Sequence, residues 1–183
     1  MILYLDRFIQ KILREYRKAV FRAKTHCKHK NFVIRGHMTL INPNITIGKN
    51  VTFYPDVMLF GDGPITIGDN VSIGNGTIIA ALSKEGITIG NNTMIAAQSY
   101  IIDCDHGMQP DKPIREQKHT TEPITIGEDV WLAANVTVLK GSQIGNGAVI
   151  GAKGLVKGKI PPYAIAVGVP AKVIKYREDI PAE

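Results

Sequence analysis

An all-β solenoid of short stacked strands is the fold class this sequence predicts, and three observations predict it. A large apolar residue recurs every six positions, at Ile47, Phe53, Leu59; Ile67, Ile73, Ile79; Ile89, Ile95, Ile101; Ile126, Leu132, Val138; and Ile144, Ile150, Val156. The tetrapeptide Ile-Thr-Ile-Gly stands at 45–48, 65–68, 87–90 and 124–127, mostly followed by an acidic, Asn or Lys pair. The period is interrupted in only three places. Repeats of this kind bury their apolar faces only against one another, so the chain stacks as a rod.

The first element is a helix over residues 2–24. Ile2, Leu5, Ile9, Ile12, Leu13, Tyr16, Val20 and Ala23 share one side of a 3.6-residue wheel, and Arg7, Lys11, Arg14, Lys18 and Arg22 share the other. Residues 1–30 thus form a basic amphipathic segment with two open roles. Its apolar stripe either packs on the open end of the solenoid or on a neighbouring subunit, or residues 1–24 lie peripherally on an anionic membrane surface. Residues 31–44 lead into the array, with Ile41 as a partial first repeat, within a β-helix domain spanning 31–176. Residues 177–183 form a C-terminal tail.

If three hexads make one turn of a triangular prism, residues one turn apart stack at about 4.8 Å. The steps Leu59 to Ile67, Ile79 to Ile89 and Ile101 to Ile126 then contain insertions of two, four and nineteen residues, each after the third side of its coil. Three loops should therefore leave one edge, the uppermost a long protruding loop at 102–123. Long loops on compact domains commonly carry function. The same phase predicts a second edge, where Ala97, Ala134 and Ala152 each follow a second-side core position by two residues. Stacked alanines there leave a groove in which an extended ligand can touch backbone amides.

Composition sets the remaining bounds. With 183 residues and 44% hydrophobic content the chain forms one domain. Cys27 and Cys104 are too few for a disulfide framework, so a cytoplasmic location is expected. Met1 to Leu5 is too short for a signal peptide, and no window approaches the length of a membrane span. Residues 1–35 hold ten Lys or Arg against Asp6 and Glu15, a net +8 of the total +6, leaving about −2 elsewhere. That balance argues against nucleic acid as a partner of the body.

Chemistry concentrates in the long loop, at Asp103-Cys104-Asp105-His106-Gly107 followed by Asp111, Arg115, His119 and Glu122. His106 is the candidate general base, because a neutral imidazole can accept a proton near pH 7 and a carboxylate can fix its tautomer. Cys104 is read either as a nucleophile or as a buried structural thiol, the second being favoured. His26, Cys27, His29 and His37 lack a standard ligand spacing, so no metal site is expected. Lys153, Lys157, Lys159, Lys172 and Lys175 crowd the C-terminal end of the array, where they could meet the phosphates of a nucleotide-like cofactor.

Three segments carry a family resemblance: Ile124-Thr-Ile-Gly-Glu-Asp-Val-Trp-Leu-Ala-Ala134, Gly145-Asn-Gly-Ala-Val-Ile-Gly-Ala152, and Ile160-Pro-Pro-Tyr-Ala-Ile-Ala-Val-Gly-Val-Pro-Ala-Lys-Val-Ile174. They resemble the C-terminal signature of hexapeptide-repeat acyltransferases, most nearly the maltose, galactoside and polysaccharide O-acetyltransferases, over about residues 45–176. The resemblance implies a left-handed parallel β-helix and a homotrimer with active sites between subunits. It implies acetyl-CoA as cosubstrate, a carbohydrate acceptor, and His106 as the catalytic base, with a backbone amide near Ala134 stabilising the oxyanion. It assigns Ala134, Ala152, Lys157 and Lys175 to the coenzyme. Where the family has a Thr-Lys pair this chain has Lys157-Gly158, so the phosphate contact falls on Lys157, Lys159 or Lys153. Asp103 and Asp105 fall where relatives orient the histidine or bind the acceptor. Trp131 matches a tryptophan at the thioester end, or else packs beneath the loop.

The leading expectation is O-acetylation of a sugar hydroxyl, on a cell-surface polysaccharide or its precursor. The alternatives are N-acetylation of an amino-sugar nucleotide and a non-catalytic scaffold. A carbonic anhydrase on this fold would need a third zinc-binding histidine beside His106 and His119.

Overall fold

Alternation within each Ile-Thr-Ile tripeptide builds the first wall of the prism. Ile45 and Ile47 point inward with Thr46 outward, and the same holds for Ile65–Ile67, Ile87–Ile89 and Ile124–Ile126. The computed structural model describes residues 2–177. It is a left-handed parallel β-helix of about seven turns with one N-terminal helix. Each of the first and third sides is a six-stranded parallel sheet, and the second side has eight strands. Register is maintained throughout, with Ile47 opposite Ile67, Ile67 opposite Ile89 and Ile126 opposite Ile144. The interior is one continuous column of buried apolar side chains, aliphatic except at the helix end, where Phe21, Phe32 and Phe53 enter it.

Corner chemistry explains the polar pair after each Gly. Its second residue adopts the left-handed conformation, with φ between 54° and 60° at Asn50, Asn70, Asn92 and Asp129, which Asn and Asp tolerate better than other side chains. Asn50 donates to Asn70 and Asn70 to Asn92, each at 3.0 Å, so the corner is also a side-chain ladder. The preceding Gly is required by closeness: a Cβ on Gly90 would lie 2.5 Å from the carbonyl carbon of Gly127 in the next coil.

The array begins earlier than the sequence pattern indicates. Phe32–Ile34 and Met38–Leu40 already pair with Val51–Phe53 and with Val57, Met58 and Leu59. Leu40 takes the third-side position, and Ile41, expected there, is exposed. The error is one of register: seven residues separate Leu40 from Ile47, and the six-residue phase counted back from Ile47 lands on Ile41.

The helix spans Ile2–Lys24 as expected; the N-terminal part of its apolar stripe is exposed, while Leu13, Tyr16 and Val20 line a groove with Met38 and Leu40 of the solenoid. Phe21, outside the stripe, plugs the end against Phe32 and Phe53 at ring distances of 5.2 and 5.5 Å. No helix among the described residues is long and apolar enough to cross a membrane. At the other end, Lys172–Tyr176 folds back antiparallel on Ala164–Val167. Of the expected tail, Arg177 is tied to the body by a 2.7 Å bond to Asp129, and residues 178–183 lie outside the described residues.

Candidate active site

All three insertions leave the prism between the third and first sides, as the phase requires. The long loop starts and ends as a short antiparallel ladder, Cys104–Asp105 against Thr120–Thr121. Gln117 folds the tip: its Oε1 accepts from Gln109 N at 2.9 Å, and its Nε2 donates to the carbonyls of Gln109 and Lys112 at 2.8 Å. His106 follows the ladder directly and is exposed.

The partner of His106 is His119, with Nδ1 of the first 3.2 Å from Nε2 of the second and ring centroids 4.5 Å apart. Among the described residues neither Asp103 nor Asp105 is hydrogen-bonded to the His106 ring. Asp103 is fully buried, and its carboxylate accepts from Leu82 N at 2.7 Å, Ser83 N at 2.9 Å and Ser83 Oγ at 2.7 Å. It therefore anchors the four-residue insertion of the coil below. Asp105 faces Lys140 at 3.6 Å. Lys140 also donates to Glu122 and Thr120 at 3.1 Å each, binding both strands of the ladder to the coil above. The bond to Glu122 foremost, with the Glu122 and Asp105 charges, raises the Lys140 pKa and keeps the clamp charged. Burial, then the Asp103 and Asp105 charges, push the Cys104 thiol up, which argues against a thiolate nucleophile.

The alanine edge forms as the phase predicts. Asn135 N donates to Ala97 O and Lys153 N to Ala134 O, both at 2.9 Å, so the three alanines stack. The amides flanking each alanine are bonded to neighbouring coils: Ala96 and Gln98, Ala133 and Asn135, Gly151 and Lys153. The amides of Ala97, Ala134 and Ala152 themselves find no acceptor among the described residues. That column of free donors runs up one corner of the prism.

The lysines do not gather there as one group. Lys153 sits on the alanine edge, and Lys172, paired with Val167, stands at its top. Lys157 instead lines a cavity on the loop edge with Asp105, Glu122 and Lys140. Lys159 lies outward on the first side and Lys175 outward on the second. Trp131 is also on the second side, 47% exposed in a groove with Tyr54, Met94 and Ala96, so within one chain it does not pack beneath the loop. Ser83, Lys140 and Gln117 are the residues that sequence reasoning did not single out, and His119, named among the polar residues of the loop, carries no assigned role there.

Among the described residues no three His, Cys, Asp or Glu side chains converge as metal ligands. Cys27 bonds to His29 O, and His29 to Ile47 O.

Two family models match the chain: "Bacterial transferase hexapeptide (six repeats)" over residues 123–158 and "Hexapeptide repeat of succinyl-transferase" over residues 64–102. A probable acetyltransferase of Mycobacterium tuberculosis is 41% identical over 64% of this chain, which spans only 39% of that protein's length. A putative lipopolysaccharide biosynthesis O-acetyl transferase of Escherichia coli, WbbJ, is 39% identical over 72% of this chain and 71% of its own. Among solved structures, a point mutant of the Bacillus cereus N-acyltransferase AntD, in complex with dTDP-4-amino-4,6-dideoxyglucose and coenzyme A, superposes with a TM-score of 0.77. The two are 25% identical, over 89% of this chain and 90% of that one.

Proposed function

Because the chain belongs to the hexapeptide-repeat acyltransferase family, we propose that it acetylates a carbohydrate hydroxyl with His106 as general base. The observation that carries this reading is His106 itself, exposed at the root of a loop whose clamp fixes its position, with Nδ1 engaged by His119. That engagement leaves Nε2 as the nitrogen that meets the acceptor.

Acetyl-CoA supplies the activated acetyl thioester, and the free amides of Ala97, Ala134 and Ala152 suit an extended pantetheine arm. His106 Nε2 takes the proton of the acceptor hydroxyl as its oxygen attacks, and returns it to the departing sulfur. His119 receives the Nδ1 proton as a hydrogen bond and disperses the charge of the imidazolium, the part that a carboxylate was expected to play. The Ala134 amide faces the charge that develops on the thioester oxygen. Lys153 and Lys172, at the top of the alanine edge, take the coenzyme phosphates in this reading, with Trp131 beside the track.

The loop edge and the alanine edge lie at opposite ends of the third side, so one chain does not bring them together. A homotrimer does, if the loop of one subunit crosses to the alanine edge of the next. The third side supports this arrangement: its outward row of Thr39, Met58, Ile78, Tyr100, Thr137 and Leu155 is more apolar than the Thr46, Thr66, Thr88 and Thr125 of the first side.

O-acetylation is preferred over N-acylation because the 39% identical relative bears the former name, against 25% for the latter. Mass spectrometry of glycans and of amino-sugar nucleotides after incubation with acetyl-CoA tests both. An acetyl gain on a glycan that falls about 10²–10⁴-fold in His106→Ala is the expected result. Gain on the amino sugar alone, or no change in the variant, would overturn the acceptor or the base respectively.

A further inference from the structure

The N-terminal helix meets the solenoid with the side that its sequence makes polar. Arg7, Lys11, Arg14 and Arg17, with Gln10 and one carboxylate, Asp6, line a groove of about 250 Å³ against Val33, Ile34 and Arg35. Lys18 lies 5.6 Å over the Phe32 ring, and Phe21 enters the core. The N-terminal half of the apolar stripe consequently faces away from the body, with Leu5 59%, Ile9 43% and Ile12 53% exposed, whereas Leu13, Tyr16 and Val20 line a groove with Met38 and Leu40. A contiguous apolar strip of this kind marks an interaction surface.

Charge decides what covers it. Residues 1–35 carry a net +8, and among the described residues the only ion pair of that segment joins Lys18 to Glu15. A second copy laid on the stripe would bring another +8 within about a Debye length of the first. An anionic lipid leaflet offers both complements at once, acyl boundary for the stripe and negative headgroups for the cations. The two features are continuous, since Arg17 lines the basic groove and also an apolar groove with Leu13, Tyr16, Val20, Phe21, Met38 and Leu40.

We propose that residues 4–17 form a foot that docks the solenoid on an anionic bilayer, the stripe entering the interface and the groove of Arg7, Lys11, Arg14 and Arg35 holding lipid phosphates. The foot stands independently of the acyl-transfer reading. Joined to that reading, it would hold the loop edge near an acceptor carried on the same leaflet. The third-side strand at Tyr100–Ile102, from which the loop departs, is three coil steps above Met38–Leu40, roughly 14 Å at about 4.8 Å per step.

Sedimentation with phosphatidylcholine vesicles, with and without phosphatidylglycerol, tests the foot. Binding to the anionic vesicles alone, weakened by salt, is expected. The variant Arg7→Gln/Lys11→Gln/Arg14→Gln should lose partitioning by roughly a hundredfold, about fivefold per cation. Ile9→Asp/Ile12→Asp should abolish it. These positions are exposed, so circular dichroism should remain that of the wild type. No binding to either vesicle, or undiminished binding of the triple variant, would overturn the proposal. So would an Ile9→Asp/Ile12→Asp variant that lowers the oligomer mass in the absence of lipid, because a second copy would then cover the stripe. Activity on a soluble acceptor should be untouched in all these variants, which separates failure of the foot from failure of the acyl-transfer reading.

Discussion

Along the second-to-third corner of the prism successive coils repeat one backbone arrangement, whereas along the third-to-first corner no two coils contribute the same residues. The alanine edge is made by repetition: Ala97, Ala134 and Ala152 occupy one phase, and their flanking amides are consumed by the neighbouring coils. The loop edge is made by exceptions, with Asp103 reaching down to Leu82 and Ser83, Lys140 reaching to Glu122 and Thr120, and two histidines reaching each other. Repetition produces a generic track for a ligand that many relatives share. Exceptions produce a particular cradle, which is where an acceptor would be selected.

If the two edges cooperate only across subunits, each can be destroyed in a different chain. His106→Ala removes the base and leaves the alanine edge intact, while Ala152→Trp fills the groove at an exposed corner and leaves the loop intact. Each variant alone should lose at least about a hundredfold in turnover. Mixed after denaturation and refolding together, they should recover activity, since some subunit pairs then unite an intact loop with an intact edge. Assay of the mixture against both parents decides the matter, and no recovery would place both edges of one site in the same chain.

Removal of the buried anchor should be felt next most strongly, and in stability first. Asp103→Ala leaves the amides of Leu82 and Ser83 without their acceptor, at about 1–3 kcal/mol for each buried group left unsatisfied. A loss of about 3 kcal/mol in urea unfolding is expected, with Asp103→Asn losing less because one oxygen remains. Undiminished stability with activity gone would instead return Asp103 to the acceptor.

These two edges also differ in how much of them the sequence discloses. The phase of Ile95, Leu132 and Ile150 locates the alanine edge to the residue, because position along a parallel β-helix follows from counting. Counting equally locates the loop, yet it is silent on Ser83, Lys140 and His119. Their contacts span 13 to 20 residues, and each has at least one partner in an insertion outside the repeat. Counting fails too where the period changes, as at Leu40 and Ile41. For the lysines the missing quantity is the side of the prism: Lys157 and Lys153 are four residues apart but on different edges. The amphipathic wheel finds the helix and its stripe, but the side turned to the solenoid is settled by Phe21, a single residue off the stripe.

Cys104 provides the smallest expected effect and the cleanest control on the loop edge. It adjoins both aspartates and precedes His106 by two residues, which by sequence alone suits a nucleophile and its base. Its side chain is buried, however, and burial together with the charges of Asp103 and Asp105 raises its pKa. A raised value means less thiolate at any pH below the ordinary thiol range of about 8.5, so reactivity at neutral pH falls below that of a free cysteine. Iodoacetamide should therefore label the native protein slowly at pH 7, with denaturation restoring the rate of a free thiol. Cys104→Ala should hold kcat within about a factor of two, since a positioned imidazole acting directly on the acceptor needs no covalent relay. If the variant instead lost activity as deeply as His106→Ala, the acetyl group would have to pass through the sulfur. The loop edge would then hold the chemistry itself as well as the acceptor.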